Sequence, residues 1–389
     1  MRPKRILLVD LGVPFGGVEV YLASLARLLE GGAELYALCV NPELAGLLAE
    51  RGVHVFALGF ALHRGKFLQI LLGALSLPYL RLRYGVNTVW INGYTEIVLL
   101  PWARLLGCTA MATRHLTLDP QMPGWHLAPN RAVARVLYRH LAFVAHKIIC
   151  VSGAVAEDLA TIVSPSKLVV IRNWVPVLPD LVKTPKTDGE PLKLLFVGRL
   201  QKYKGVSIVI DAMHRLKEQG KNHAVSLTVV GEGEFLEELK HQAEGLDVRF
   251  VGFQRDTSQF YRDADVFVNP SAGPEGLPLV SLEAMSYGLP CIFSDLTVHR
   301  EITDDGECAL LFRSQDAGDL CAKIDVLLAS RELMVRYGEL AREMINLHHS
   351  PAVARASYFK ELGIALTDQS STRPSLTPAV QKTDAERVA

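Results

Sequence analysis

The stretch LLFVGRLQKYKG, residues 194–205, joins a short apolar run to a basic loop that is flanked by glycines. A continuous run of apolar residues predicts a strand that is buried on both faces, as in a parallel sheet. The helical pattern over residues 206–219 completes a strand–loop–helix unit. Ligands of such sheets bind at the carboxyl ends of the strands, so this loop is the first candidate site.

The same alternation of strands and helices extends from this unit in both directions. A segment with four prolines, residues 176–191, interrupts it once and is typical of an interdomain linker. We therefore predict an α/β chain with two doubly wound, Rossmann-like domains that face a central cleft. The predicted strands are 6–9, 35–40, 53–58, 88–91, 109–113, 147–151, 168–171, 194–197, 226–230, 248–251, 266–269 and 290–294.

The predicted division of the chain has five parts. Two large domains are separated by the linker and followed by a helix and a tail that is rich in Ser, Thr, Pro and charge, for which we predict disorder. The parts are an N-terminal Rossmann-like domain (1–175), the linker (176–191), a C-terminal Rossmann-like domain (192–349), a C-terminal helix (350–366) and the tail (367–389).

Composition excludes several classes of function. The 389 residues are 49% hydrophobic and 21% charged, which is incompatible with disorder along the whole chain. Lys and Arg together number 41, as do Asp and Glu, so nothing in the net charge calls for nucleic acid. None of the six cysteines forms a C-x-x-C pair, which argues against a zinc or dithiol motif and favours a reducing cytoplasm.

No segment has the pattern of a signal peptide or a membrane span. Four apolar residues follow the basic start before Asp10 interrupts them, and the longest apolar stretch, residues 67–80, has 14 residues. A span needs about 20. We therefore expect a cytoplasmic protein without a transmembrane helix.

The first half of the chain is nevertheless basic. Residues 60–150 contain ten Lys or Arg against two acidic residues. Basic and apolar residues interleaved on helices predict contact with an anionic membrane surface or an anionic lipid substrate. The alternative is an ordinary solvated helix face above a core. The interleaved apolar residues are Phe67, Leu71, Leu72, Tyr79, Leu80, Val136, Leu137 and Tyr138.

Two glycine-bearing loops are candidate sites for a phosphate group. Gly16 and Gly17 lie between the first strand and its helix, where side-chain-free backbone lets an anion approach the helix N–H groups. Arg199 and Lys204 lie in the 194–205 loop, where a guanidinium fork and an ammonium could clamp a diphosphate. The alternatives are a tight turn and two solvated cations.

Carboxylates and a histidine supply further candidates. Glu275 precedes a predicted helix and Glu283 lies within it, roughly 8 Å apart, which is wider than the pair of a retaining glycosidase. They suit hydroxyl recognition, with the amides of Gly276 and Leu277 at the same helix start. His115 follows a first-domain strand, where it could donate a hydrogen bond or move a proton.

In these segments the chain resembles the retaining GT-B glycosyltransferases of family 4, also called group 1. The resemblance covers about residues 4–366, and the order and spacing of its motifs make it specific. Besides the segment of His115, the motifs are GGVEVYL (16–22), CVSGAVAEDL (150–159), FVGRLQKYKG (196–205), VVGEGE (229–234), VGFQRDTSQFYRDADVFVNPS (251–271) and EGLPLVSLEAMSYGLPCI (275–292).

The resemblance implies transfer of a sugar from a nucleoside-diphosphate sugar with retention at the anomeric carbon, without a cofactor or a divalent metal. We expect the acceptor to be a lipid-linked saccharide or a glycolipid of envelope or exopolysaccharide synthesis. It also implies that the C-terminal helix returns to pack on the first domain. The alternatives are a nucleotide-sugar epimerase on the same fold and a non-catalytic subunit that binds sugar nucleotides.

The resemblance implies that the N-terminal domain (1–175) is the acceptor side and that the C-terminal domain (192–349) binds the nucleotide sugar. It also assigns the candidate residues to parts of the donor. Arg199 and Lys204 would grip the diphosphate, with Gly16 and Gly17 against it from the other domain. The remaining contacts would be with the sugar (His115, Glu275, Gly276, Leu277), the ribose (Glu283), and the base and its pocket (Gly231, Glu232, Val251, Gly252, Phe253).

The chain departs from the family pattern in two places. Trp174 and Pro176 stand where the family often has Gly and Asp, at the end of the first domain. Leu116 follows His115, where the family often has an acidic residue. These departures concern the hinge and the role of the histidine.

Overall fold

The computed structural model describes residues 4–13, 15–59, 65–93, 95–117, 131–178, 190–221 and 223–366. The predicted tail and most of the predicted linker therefore lie outside the described residues. The described strands are β1 (Arg5–Asp10), β2 (Glu34–Cys39), β3 (His54–Ala57), β4 (Thr88–Ile91), β5 (Thr109–Arg114), β6 (Lys147–Cys150), β7 (Leu168–Val170), β8 (Leu192–Val197), β9 (Val225–Val230), β10 (Val248–Phe250), β11 (Val266–Asn269), β12 (Cys291–Ser294) and β13 (Leu310–Phe312).

Helices connect most of these strands. They are α1 (Gly17–Leu28), α2 (Pro42–Ala49), α3 (Lys66–Tyr84), α4 (Leu100–Leu105), α5 (Arg131–Val144), α6 (Gly153–Ala160), α7 (Val206–Glu218), α8 (Leu236–Gln242), α9 (Ser258–Asp263), α10 (Leu279–Ser286), α11 (Thr297–Thr303), α12 (Ala317–Ala329), α13 (Arg331–His348) and α14 (Pro351–Leu362).

The strands form two parallel sheets. The first has the order β3-β2-β1-β4-β5-β6-β7 and the second β10-β9-β8-β11-β12-β13. The apolar runs that predicted the central strands, such as β1, β4, β11 and β12, are buried on both faces, as parallel sheets require. The edge strands β3, β7 and β10 are partly exposed. The predicted fold class, with two Rossmann-like domains, is confirmed.

Each sheet reverses its winding direction at one point. The reversal falls between β1 and β4 in the first sheet and between β8 and β11 in the second. The crevice beyond the carboxyl ends of the strands at such a switch point is where open α/β sheets bind ligands. These two crevices therefore position the candidate site.

The C-terminal helix α14 packs against the first sheet's helix α1. The Tyr358 and Tyr21 hydroxyls are 2.6 Å apart in the core, and the Phe359 ring lies so close to Gly32 that a Cβ there would approach it to 2.6 Å. Trp174 is buried beside both tyrosines, with ring centroids 5.4 and 5.5 Å away. The large residue at this departure from the family pattern thus fills core space below the cleft.

A carboxylate from the second domain holds the two domains together near the hinge. The Glu301 oxygens accept hydrogen bonds from the first two amides of α6, Gly153 N at 2.9 Å and Ala154 N at 3.0 Å. The Arg172 guanidinium also donates to Glu301 at 2.9 Å. Free N–H groups and the helix dipole make a helix start a favourable place for a carboxylate.

Within the described part of the chain, no helix combines the length and the apolar character that crossing a membrane requires.

Candidate active site

Backbone contacts among three loops build the wall of the second domain. Gly198 N donates to Val230 O at 3.0 Å and Gly231 N to Gly252 O at 2.8 Å, which links the loops after β8, β9 and β10. Gly231 has φ 137°, and a Cβ there would lie 1.9 Å from Gly198 O. Only glycine permits this approach, so the glycines of two motifs serve first to join the loops.

An ion pair of a half-buried lysine and a buried glutamate occupies the switch point of the second sheet. Lys204, in the loop after β8, and Glu275, in the loop after β11, meet with Nζ and Oε1 2.6 Å apart. Burial alone would raise the pKa of Glu275, but the Lys204 ammonium holds it below its usual value. The chain thus places a cation and an anion together that the sequence assigned to different parts of a ligand.

Arg199 lies on the same loop as Lys204 and is exposed. The loop ends at Gly205, which has φ 72° and is the N-cap of α7. The loop thus carries one exposed cation, Arg199, and one half-buried cation, Lys204, that is held by an ion pair.

Glu283 is held by a tyrosine. It lies on α10, and its Oε2 accepts a hydrogen bond of 2.9 Å from the Tyr261 hydroxyl on α9. Burial raises the pKa of Glu283. Tyr261 in turn stacks on Tyr287 at 5.2 Å, so the carboxylate is fixed in position.

The segment expected to line the base pocket is open to solvent. The Glu232 carboxylate accepts a hydrogen bond of 3.3 Å from Phe253 N, and the Phe253 side chain is 58% exposed. Val251 packs at the edge of the core, and Gly252 has φ 73°. An exposed ring beside a backbone-bound carboxylate is suited to stacking and hydrogen bonding with a planar ligand.

The wall of the first domain is a chain of side chains at the ends of three neighbouring strands. Asp10 ends β1, Asn92 follows β4 and His115 follows β5. Asn92 Nδ2 donates to Asp10 Oδ2 at 2.7 Å, and Asn92 Oδ1 is 2.9 Å from His115 Nε2. The ring of Tyr21 meets His115 edge-on at 4.6 Å.

The electrostatics of this wall favour neutral groups. Burial, and secondarily the charge of Arg114, lowers the pKa of His115 to about 3. Burial and the neighbouring Glu96 raise the pKa of Asp10. Lys66 binds Glu96 at 2.5 Å, so the Glu96 carboxylate beneath the wall has its own cation.

A second carboxylate lies at the glycine pair. Gly16 is the N-cap of α1, and its amide donates to Glu19 Oε2 at 2.8 Å. Burial and Asp10 raise the pKa of Glu19 to about 7, whereas Arg199 in the other domain lowers it. No described atom lies within 4 Å of a Cβ placed on Gly17, so the protein's own packing does not require glycine there.

The two walls meet at the loop that bears Glu275. A Cβ on Gly276 would lie 1.6 Å from the His115 carbonyl oxygen, and Asn173 Nδ2 donates to Leu277 O at 2.7 Å. The loop that bears Glu275 therefore abuts the strand end that bears His115. Of the residues selected from the sequence, Lys204, Glu275, Gly276, Leu277 and His115 lie together in this way.

The sequence reasoning missed several residues of the site. Asp10, Asn92 and Glu19 were not selected, nor was Tyr261. A usable signal existed for the first two, because each is a polar residue at the carboxyl end of a predicted strand. Tyr261 carried no such signal, because only the packing of α9 on α10 brings its hydroxyl to Glu283.

Among the described residues no group of three or more His, Cys, Asp or Glu side chains could hold a metal ion. An Asp-x-Asp pattern, which could hold a metal beside a diphosphate, occurs at Asp263-Ala264-Asp265, before β11. There Asp265 Oδ2 accepts a hydrogen bond of 2.8 Å from Lys193 N at the start of β8. That is the edge of the sheet opposite the cleft. Metal independence stays a prediction.

Two family models match successive halves of the chain. Residues 15–177 match the model described as Glycosyltransferase Family 4, and residues 179–344 match that of Glycosyl transferases group 1. The chain belongs to the family-4, group 1 glycosyltransferases. This confirms the resemblance and the GT-B fold, and makes the protein a glycosyltransferase.

Relatives of this glycosyltransferase include enzymes whose names contain that of a lipid, phosphatidyl-myo-inositol. A phosphatidyl-myo-inositol mannosyltransferase of Mycolicibacterium smegmatis is 27% identical over 371 residues, 89% of each chain. That of Mycobacterium leprae is 34% identical over 197 residues, 49% of this chain and 52% of the relative. The crystal structure of Anabaena Alr3699/HepE in complex with UDP-glucose has a TM-score of 0.76 at 19% identity, covering 92% and 99% of the two chains. This last likeness concerns the fold alone.

Proposed function

We propose that this glycosyltransferase moves a sugar from a nucleoside-diphosphate sugar to a lipid-linked saccharide or glycolipid, with retention and without a metal. The observation that carries the proposal is the Lys204–Glu275 pair at the switch point of the second sheet, abutting the strand end of His115. A cation for a diphosphate and a carboxylate for sugar hydroxyls are thereby adjacent, as the two parts of such a donor are.

The leaving group explains why cations belong there. As the bond to the sugar breaks, negative charge develops on the nucleoside diphosphate, and preorganised cations stabilise it. Lys204 is held in place before any ligand binds, and Arg199 on the same loop is free to close on the phosphates. Contact with a diphosphate would draw Lys204 toward the phosphates and leave Glu275 oxygens for sugar hydroxyls.

Retention without a protein nucleophile fits the distribution of carboxylates. Glu275 is paired with Lys204. Glu283, eight residues after Glu275, accepts a hydrogen bond from Tyr261. In the favoured same-face mechanism of the family, the acceptor attacks from the side that the diphosphate leaves. Such a reaction needs a closed cleft that excludes water more than it needs a nucleophilic side chain.

The test is calorimetric titration of UDP, GDP, ADP, CMP and dTDP in the presence of a chelator. We expect one nucleotide to bind, which identifies the donor pool, and transfer of that donor's sugar to lipid extract with retention. Binding only with magnesium would overturn metal independence. Interconversion of the free donor sugar would favour the epimerase, and binding without turnover the non-catalytic subunit.

A lipid acceptor is supported by the outer face of α3. Its inner face, at Gln69, Gly73, Leu77 and Leu80, is buried, as in any helix that packs on a core. Its outer face carries a second apolar stripe at helical spacing, where a soluble protein normally has polar residues. The stripe consists of Phe67, Leu71, Leu75, Tyr79 and Leu82, all of which are exposed.

The stripe continues onto two neighbouring helices. The Trp102 indole on α4 donates to Ala74 O on α3 at 2.8 Å, and both Trp102 and Leu105 are exposed. On α5, Val136 and Phe143 are exposed. We call these nine residues of α3, α4 and α5 the apolar ridge.

The apolar ridge revises the set of interleaved residues. Leu80 and Tyr138, expected among the membrane-facing residues, are buried in the core instead. Exposed cations flank the ridge at Arg83, Arg104 and Arg139, while the side chains of Arg131 and Arg135 lie outside the described residues. Apolar residues bordered by cations complement the interface of an anionic leaflet. We propose that this leaflet is the one at the cytoplasmic face of the membrane.

The test is sedimentation with vesicles of phosphatidylcholine alone or mixed with phosphatidylglycerol. We expect wild type to sediment with the mixed vesicles. The variant Phe67→Ser/Leu75→Ser/Leu82→Ser should stay in solution, whereas the control Leu347→Ser, an exposed leucine of the second domain, should behave as wild type. Equal sedimentation of wild type and the triple variant would refute the membrane contact.

A further inference from the structure

The Asp10–Asn92–His115 chain determines where the proton of the His115 ring lies. Asn92 Nδ2 is 2.7 Å from Asp10 Oδ2 and 3.2 Å from the carbonyl oxygen of Val18. A carbonyl oxygen only accepts hydrogen bonds, so the atom facing it must be the amide nitrogen. The orientation of the Asn92 amide is therefore fixed by its surroundings.

The fixed amide fixes the imidazole in turn. Asn92 Oδ1 faces His115 Nε2 at 2.9 Å and can only accept, so Nε2 must carry a hydrogen. Because burial lowers the pKa of His115 to about 3, the ring holds no second proton at neutral pH. Nδ1 is consequently a lone-pair acceptor.

Nothing within the described residues uses that acceptor. His115 Nδ1 has no hydrogen-bond partner there, while the Tyr21 ring, edge-on at 4.6 Å, restrains rotation of the imidazole. The main chain of His115 abuts Gly276, beside the Glu275 that is to bind the sugar. A neutral acceptor at this place selects a ligand group that donates a hydrogen bond.

We propose that Asn92 and Asp10 are positioning residues, which hold His115 so that its Nδ1 accepts a hydrogen bond from a hydroxyl of the donor sugar. The inference rests on the proposed function for the sugar, but the proton position stands independently of it. It excludes Nδ1 of His115 as a donor to the sugar, and it gives Asn92 and Asp10 a role in selecting the sugar.

The charged groups around the chain support a neutral ring. Arg114 on β5 opposes an imidazolium. Glu96 and Lys66 neutralise each other beneath Asp10, and burial raises the pKa of Glu19 beside it to about 7. Asp10 contacts Asn92 and the Gly12 amide, at 2.8 Å, rather than the imidazole itself.

The first arm of the test is ¹⁵N NMR of the histidine rings in the full chain, with His115→Gln identifying the signal. We expect a neutral ring with its proton on Nε2 between pH 5.5 and 8. A proton on Nδ1, or an imidazolium in this range, would overturn the inference. This arm needs no substrate, so its result is independent of whether the proposed transfer is found.

The second arm compares the nucleotide alone with the nucleotide sugar that the calorimetric panel selects. Asn92→Leu removes the acceptor for Nε2, so we expect roughly a tenfold loss of kcat/KM for the nucleotide sugar. Its affinity for the free nucleoside diphosphate, which the other domain binds, should stay that of wild type. Equal losses for both ligands would indicate a merely structural role.

A control and a second variant complete this arm. Asn87→Leu changes an asparagine at the opposite end of the same strand, where its Oδ1 accepts from Arg5 N at 3.2 Å, and should leave turnover intact. Asp10→Asn should reduce kcat/KM less than Asn92→Leu, because the Val18 carbonyl still orients the amide. Wild-type turnover in Asn92→Leu would overturn the positioning role.

Discussion

The two walls of the cleft occupy equivalent places in two similar sheets but are built by different means. In the second domain, backbone-to-backbone contacts join the loops after β8, β9 and β10, and one ion pair lies on them. In the first domain, side chains from β1, β4 and β5 form a hydrogen-bonded chain. The difference suits a division of labour. The wall of the second domain presents charge, whereas the wall of the first domain presents neutral, directional hydrogen-bonding atoms.

The largest expected effect comes from removing the charge of the second wall. Lys204→Met should lower kcat about a hundredfold, because a preorganised cation at the leaving group is lost. It should also destabilise the protein by roughly 3 to 5 kcal/mol, because Glu275 remains buried without a partner. Turnover and thermal unfolding measure the two effects.

Lys202→Met is the matched control, since Lys202 is exposed on the same loop. The double variant Lys204→Met/Glu275→Gln separates the two effects. It should recover stability without recovering turnover. Recovery of both would show that Lys204 acts only by neutralising Glu275.

The ease of predicting the two walls from sequence follows their construction. The second wall depends on glycines and cations that are close in sequence, as in the 194–205 loop, so its motifs were visible. Its strand β11 was predicted with both bounds correct, because an apolar run between turn residues leaves little choice. Glu283 was found because it too lies in a motif that is continuous in sequence. Its hydrogen-bond partner Tyr261, on another helix, was not found.

The first wall depends on strand order. Asn92 is 82 residues from Asp10 and 23 from His115. Their contact exists only because β1, β4 and β5 are neighbours in the sheet. A pattern along the chain identifies the strand ends but not which of them meet, so the sequence yielded His115 without the residues that orient it.

The apolar ridge shows the same limit for a helix. The sequence indicated that α3 is apolar and basic, but the two faces of α3 are both apolar, and only the packed structure distinguishes them. Leu80 lies inside and Leu82 outside, two positions apart.

A smaller effect is expected from removing Glu301, the carboxylate that holds the two domains together. Glu301→Ala leaves the first amides of α6 and the Arg172 guanidinium without their acceptor, which should destabilise the protein by about 2 kcal/mol. Binding of the nucleoside diphosphate to the second wall should not change. Under the proposed function transfer needs both walls, so we expect it to fall severalfold.

Thermal unfolding and calorimetry measure these outcomes, with Glu307→Ala, an exposed carboxylate of the same region, as the control. If nucleotide affinity fell together with transfer, the two walls would not act separately.

The smallest effect tests whether the first wall favours neutral groups. The folded-state pKa of Glu19, about 7, lies above its ordinary value of 4.5, so the folded protein holds a proton there that the unfolded chain releases. Stability from this group is therefore present at low pH and is lost as the pH rises through 7. Between pH 6 and pH 8 the loss amounts to about 1 kcal/mol.

Glu19→Gln mimics the protonated form and should show a smaller fall in the urea midpoint over this range than wild type, while the exposed Glu50→Gln should follow wild type. Parallel curves for wild type and Glu19→Gln would mean that the Glu19 carboxylate is charged in the folded protein, paired with Arg199 across the cleft, and that the first wall presents charge as the second one does.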